Sequence, residues 1–118
     1  MNKVIYVAGP YRGANNWEIY NNIFRAEEVA AKLWQMGHTS PHKVGVICPH
    51  TNTKWFQGLL PDDTWLEGDL AILERCDAVY MVKGWEKSEG ARAEKNFAEK
   101  HGIAVFDSFG DVEIWLRD

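Results

Sequence analysis

The stretch Val4-Ile5-Tyr6-Val7-Ala8-Gly9-Pro10 is apolar from Val4 to Ala8 and ends in a turn dipeptide. Such a short β-branched and aromatic run predicts a buried strand feeding a turn. Beyond it, Asn15 or Asn16 offers an N-cap, and Trp17 to Met36 carries helical spacing. Ile19, Ile23, Ala26, Ala30 and Leu33 form the inward stripe, Arg25, Glu28 and Lys32 fall outside it, and Gly37 supplies a C-terminal cap. Val44 to Cys48 reads as a second strand stopped by Pro49. A loop from His50 to Asp63 follows, long enough to be a functional lid. Thr64-Trp65-Leu66-Glu67 matches a capping box, which predicts a helix from there to about Arg75. Ala78 to Val82 is a third strand. Ser88 caps a helix reaching about His101, Ile103 to Phe106 is a fourth strand, and Asp111 to Asp118 reads as a short helix packing Ile114 and Trp115.

Strands and amphipathic helices that alternate in this way imply an α/β fold: a parallel sheet of about four strands with helices on both faces, flavodoxin- or Rossmann-like. Right-handed crossovers favour the strand order 2-1-3-4. Ligands of such sheets bind beyond the carboxyl ends of the strands, where the order reverses. That rule gathers Gly9 to Asn15, His50 onward and Lys83 to Gly90 at one site. Residues 1–118 are expected to form one domain, without repeats or linkers.

The totals narrow the function classes. Thirteen basic against 17 acidic residues give a net charge of −4, which argues against a nucleic-acid polymer or an anionic membrane as partner. A small anionic substrate needs only a local cation or a helix N-terminus and stays open. Cys48 and Cys76 make no metal or redox motif, and no apolar run approaches the ~20 residues that span a bilayer. The expectation is a cytoplasmic protein without cofactor. His38 and His42 flank Pro41 in a loop and have no second ligand pair at a recognised spacing, so no metal site is expected.

Two acids stand on apolar stripes. Glu94 shares a helix face with Ala91, Phe97 and Ala98; Asp69 has Trp65, Leu66, Ile72 and Leu73 at three- and four-residue spacing. Neither has a basic neighbour at those spacings. Burying a carboxylate is costly unless something compensates, so two such acids on consecutive helices at one sheet end point to chemistry. Singly, each could be solvated at a helix edge or tied to a backbone amide. A retaining pair would stand about 5–6 Å apart. Around them, Gly9-Pro10-Tyr11-Arg12-Gly13 offers backbone amides and a cation to an anion, without being a P-loop or dinucleotide fingerprint. Ser88-Glu89-Gly90 puts a hydroxyl and free amides at a helix N-terminus, where capping competes with anion binding. His50, just past a strand end, could contact substrate or simply bond to backbone. Trp55, Trp65 and Trp85 could stack on a base, and packing is the alternative for each.

Three segments, Ile5 to Gly13, Asp69 to Val79 and Ser88 to Glu94, resemble the nucleoside 2-deoxyribosyltransferase superfamily, which includes the deoxynucleoside 5′-monophosphate N-glycosidases. The resemblance runs from Lys3 to about Phe106. It implies that Glu94 is the nucleophile that attacks C1′, that Asp69 assists departure of the base, and that Tyr6 orients Glu94. It further implies that Ser88 marks members taking a 5′-phosphate, that His50 matches a histidine ending the second strand of the phosphate-cleaving members, and that the protein is a homodimer or higher homo-oligomer. The candidate substrate-binding set is Gly9, Tyr11, Arg12, Gly13, His50, Ser88 and Gly90. Two departures stand out: Lys95-Asn96-Phe97 replaces the usual apolar residues after the glutamate, and no asparagine-bearing C-terminal tail is evident. The implied activity is hydrolysis of the N-glycosidic bond of a (deoxy)nucleoside 5′-monophosphate. A base-exchanging transferase, a non-catalytic nucleotide-binding module and, more remotely, a scaffold are the alternatives.

Overall fold

The computed structural model describes residues 2–118 as one four-stranded parallel sheet flanked by helices. In chain order the elements are β1 (Asn2–Ala8), α1 (Asn16–His38), β2 (Lys43–Ile47), α2 (Pro49–Asn52), α3 (Asp62–Leu73), β3 (Ala78–Met81), a 3-10 turn (Trp85–Lys87), α4 (Glu89–Lys100), β4 (Ala104–Phe106) and α5 (Phe109–Arg117). The strand order is β2-β1-β3-β4, as expected from the sequence. Tyr6 pairs with Ile47 on one side and Val79 on the other, which puts it near the middle of the sheet.

Strand alternation assigns the two faces. Ile5 and Val7 of β1 and Ala78 and Tyr80 of β3 pack under Ala26, Ala30 and Leu33 of α1 and Val112 and Leu116 of α5. Tyr6, Ala8, Val79 and Met81 point the other way, under Leu73 of α3 and Ala91 and Ala98 of α4. Both faces are therefore covered, which is why the central strands carry apolar runs and not an alternating pattern.

Several boundaries differ from expectation for identifiable reasons. β1 starts two residues earlier because Asn2 and Lys3 pair with Lys43 and Val44. A lysine can lie buried there because its ammonium donates to the Trp115 carbonyl at 2.8 Å and sits 4.2 Å over the Trp115 ring. The Thr64–Glu67 capping box does not form: α3 begins at Asp62 after Pro61 with no side-chain cap. Asp62 and Asp63 stand in its first turn, where negative charge meets the positive end of the helix dipole. The His50–Asp63 loop is shorter than read, since Pro49 starts a helical turn that includes His50. The terminal helix is present, but Val112 and Leu116 pack inward while Ile114 is 58 % exposed. Among the described residues no helix is long and apolar enough to cross a membrane.

Candidate active site

β1 and α4 create the central feature. Tyr6 lies on the α3/α4 face of the sheet and is fully buried. On α4, the small residues Ala91 and Ala98 pack against that face, and Glu94 falls between them with only 7 % of its surface exposed. The Tyr6 hydroxyl donates to Glu94 Oε2. One buried phenol thus satisfies one oxygen of a buried carboxyl, where an unpaired group would cost several kcal/mol.

Asp69 is on α3, which packs on the same face of the sheet. Burial raises its carboxyl to about 6. Glu94 is raised further, to about 8: burial pushes it up, the Tyr6 hydrogen bond holds it down, and the negative charge of Asp69 pushes it up again. Burial, with Glu94 and Asp69 adding, also keeps the Tyr6 phenol well above its ordinary value, so Tyr6 stays a donor. The two acids therefore sense each other, and near neutrality the pair holds about one proton, mostly on Glu94.

The turn after β1 is held at many points. Gly9 passes so close to β3 that a Cβ there would lie 2.7 Å from Val82 Cβ. The Asn22 side chain donates to the Tyr11 and Arg12 carbonyls at 3.1 and 3.2 Å. Tyr11 donates to Gln57 at 2.8 Å and meets the His50 ring edge-on. His50 is buried and its Nε2 bonds the Pro10 carbonyl at 2.8 Å, so that nitrogen carries the proton. Burial lowers the His50 pKa and keeps the ring neutral. The ring braces the turn, the backbone-bonded role that its loop position left open. Gly13 needs its missing side chain because Glu18, which accepts from the Ala14 amide, occupies that space.

Ser88 caps α4 by accepting from the Ala91 amide at 3.2 Å. That contact uses a lone pair of Oγ and leaves its O–H free to donate, so capping and anion binding are compatible. The first intrahelical bond is Arg92 N–H to the Ser88 carbonyl, which leaves the Glu89 and Gly90 amides ahead of the helix ladder. Arg12 is engaged elsewhere, in an exposed 2.8 Å pair with Asp62.

Asn22 and Gln57 were missed from sequence. Asn22 stands three residues after Ile19 and four before Ala26, beside the apolar stripe of α1, and that spacing was the available signal; Gln57 lies in a loop with no pattern. The indole N–H of Trp65, one turn before Asp69, is buried without a partner among the described residues. A cleft of about 660 Å³ opens on the α1 side of the sheet, between Val29, Tyr80, Trp85 and Phe109, and a smaller one lies by Trp17. Among the described residues, no group of three or more His, Cys, Asp or Glu is placed to hold a metal ion.

A family model described as "Domain of unknown function (DUF4406)" matches residues 3–107. No curated protein matches. Among solved structures, a conserved protein from Enterococcus faecalis V583 superposes with a TM-score of 0.65 at 17 % identity over 89 % of this chain, which spans only 62 % of that protein. A 2-deoxyribosyltransferase from Bacillus psychrosaccharolyticus superposes with a TM-score of 0.59 at 18 % identity, over 93 % of this chain and 90 % of that one. These likenesses establish a shared fold, the nucleoside deoxyribosyltransferase-like sheet.

Proposed function

The chain belongs to the DUF4406 family, and from that premise we propose that it is an N-glycosidase cleaving a (deoxy)nucleoside 5′-monophosphate, with Glu94 as nucleophile. The observation that carries this reading is the buried Glu94, bonded to Tyr6 and raised by burial and Asp69. A carboxyl is placed there at considerable cost, and retaining cleavage at an anomeric carbon needs such a pair.

In this mechanism Tyr6 fixes the attacking oxygen. Glu94 passes its proton to Asp69 and attacks C1′. The C1′–N bond breaks, its electron pair goes to the base nitrogen, and Asp69 delivers the proton there. Water then attacks C1′ and gives a proton to Asp69, releasing sugar phosphate and the Glu94 carboxylate. The phosphate sits at the N-terminus of α4, taking the Ser88 hydroxyl and the Gly90 amide. Arg12 can turn to it, since an exposed pair such as that with Asp62 is worth about 1 kcal/mol or less. The buried Trp65 N–H is available to an acceptor on the base. Gly9, Tyr11, Gly13 and His50 shape the turn that borders the sugar.

Incubation with a panel of nucleosides and 5′-monophosphates, followed by chromatography, tests the reading. Free base and sugar phosphate are expected, and Glu94→Gln should cut the rate by at least about 10³-fold. Ser88→Ala should raise KM for the monophosphate and leave the matching nucleoside unaffected. A second reading, base exchange, draws support from the fold shared with a 2-deoxyribosyltransferase. Adding excess of a different base discriminates: exchanged nucleotide outweighing sugar phosphate makes the protein a transferase. A third reading, nucleotide binding without cleavage, draws on Glu94 being largely protonated at neutral pH and so able to hydrogen-bond a ribose hydroxyl. It takes precedence if ligand binds and no product forms.

A further inference from the structure

The cleft of about 660 Å³ lies on the face of the sheet opposite Glu94, at the carboxyl ends of β3 and β4. Its volume is that of a small-molecule site, and its position is where open α/β sheets take ligands. The interior is aromatic. The Tyr80 and Phe109 rings stack 4.9 Å apart, with Val29 and Trp85 beside them. Tyr80 is buried, yet its hydroxyl has no hydrogen-bond partner among the described residues. Burial, and after it the charge of Asp107, push that phenol up, so Asp107 stands within electrostatic reach of it. The rim carries both signs: Arg25, Lys32 and Lys83 against Glu28, Glu86 and Asp107. None of the six is held in an ion pair among the described residues. Along α1 the signs alternate. Arg25, Glu28 and Lys32 follow one another at three- and four-residue spacing, which puts a cation on each side of the acid at about 5–6 Å between Cβ atoms.

We infer that this cleft is a second ligand site, for an aromatic α-amino acid whose ring bears a polar hydrogen, and that its occupant acts on the turn after β1. Three cations against three acids leave the rim neutral in sum, so it has no field to draw a dianionic phosphate. It suits a molecule with a cation and an anion on neighbouring atoms. The carboxylate pairs with Arg25 or Lys32, and the ammonium with Glu28 between them. The ring enters the aromatic interior, and its N–H or O–H meets the Tyr80 hydroxyl or Asp107. Both lips of the cleft touch the β1 turn. Arg25 donates to Asn22 Oδ1, and the Asn22 amide holds the Tyr11 and Arg12 carbonyls. On the other lip, Gly84 borders Pro10, and Val82 lies hard against Gly9. A carboxylate on Arg25 competes with Asn22 for the guanidinium, so occupancy and the turn are coupled in both directions. The inference stands apart from the proposed chemistry, because it uses neither Glu94 nor Asp69.

Isothermal titration calorimetry with L-tryptophan tests it. A Kd of about 1 mM or tighter is expected for a ligand of this size. Tryptamine, which lacks the carboxylate, and indole-3-propionate, which lacks the ammonium, should bind at least about 10-fold more weakly. Glu28→Lys and Lys32→Glu should each weaken L-tryptophan by at least about 10-fold. Lys100→Glu, at an exposed position on α4, should not. Glu28 and Lys32 are exposed as well, and circular dichroism should show native helix content in all three variants. At saturation, amide hydrogen exchange at Tyr11 to Gly13 should change by at least about threefold. Absence of binding up to about 10 mM overturns the inference. So does tryptamine or indole-3-propionate binding as tightly as L-tryptophan, or an affinity indifferent to Glu28→Lys and Lys32→Glu. Displacement of bound L-tryptophan by adenosine 5′-monophosphate would give the cleft to a nucleotide and overturn the assignment. Unchanged exchange with the ligand bound overturns the coupling to the turn. No base release is measured, so failure here leaves the proposed chemistry standing.

Discussion

The proton on Glu94 gives the residue scale its sharpest consequence. An ionised carboxylate attacks and a neutral one does not. Attack and departure together use the single proton the pair holds, so with Asp69 raised to about 6 and Glu94 to about 8 the rate of base release should peak between those values and fall as pH rises through about 8. The two neighbours act on Glu94 in opposite directions. Asp69→Asn removes the proton carrier and a negative charge that pushes Glu94 up, so kcat should drop and the remaining activity should rise with ionisation of Glu94, centred below about 8. Tyr6→Phe removes the hydrogen bond that holds Glu94 down, so the falling limb should move to higher pH. Rate profiles of the two variants check this; shifts in the same direction would exclude the pairing. The placement of Glu94 on an apolar stripe was legible in the sequence, since only helical spacing was needed. The part played by Tyr6 rested on resemblance alone, because the register of β1 against α4 is a tertiary fact that local pattern does not carry.

At the scale of elements, the turn after β1 is the most constrained segment. Gly9 lies where β1 runs against β3, and a methyl group there would press on Val82 Cβ at 2.7 Å. Gly9→Ala should therefore destabilise the fold by about 1–3 kcal/mol, as overpacking does, and displace the turn that His50 and Asn22 brace. Urea unfolding measures the first effect. Elements with one long period were easy to read: the stripe of α1 and the runs of β1 and β3 fall where periodicity puts them. The start of α3 was misread because Thr64–Glu67 imitates a capping box, while the two acids ahead of it set the true boundary. The helical turn holding His50 went unseen because four residues give no period. Lys3 hid the beginning of β1, since a buried lysine is rare without the Trp115 carbonyl and ring that receive it.

For the whole molecule, the buried acid links stability to pH. Glu94 is raised in the folded state, so the unfolded chain ionises first. The contribution of this group to stability should be fully present below the ordinary glutamate range and be lost as pH rises from there toward about 8. Glu94→Gln keeps a side chain that can accept from Tyr6 and removes the charge. It should be more stable than the parent at pH 8–9 by a few kcal/mol, with little difference near pH 4; paired urea titrations at the two pH values decide it. A global consequence also follows from the strand order. β1 comes first in the chain yet sits between β2 and β3. During synthesis it must wait with both edges open until residues 43–47 and then 78–81 emerge to pair with it. Trimming it away would not shorten the sheet from its rim: it would leave β2 stranded without a neighbour and β3–β4 as a separate two-strand remnant.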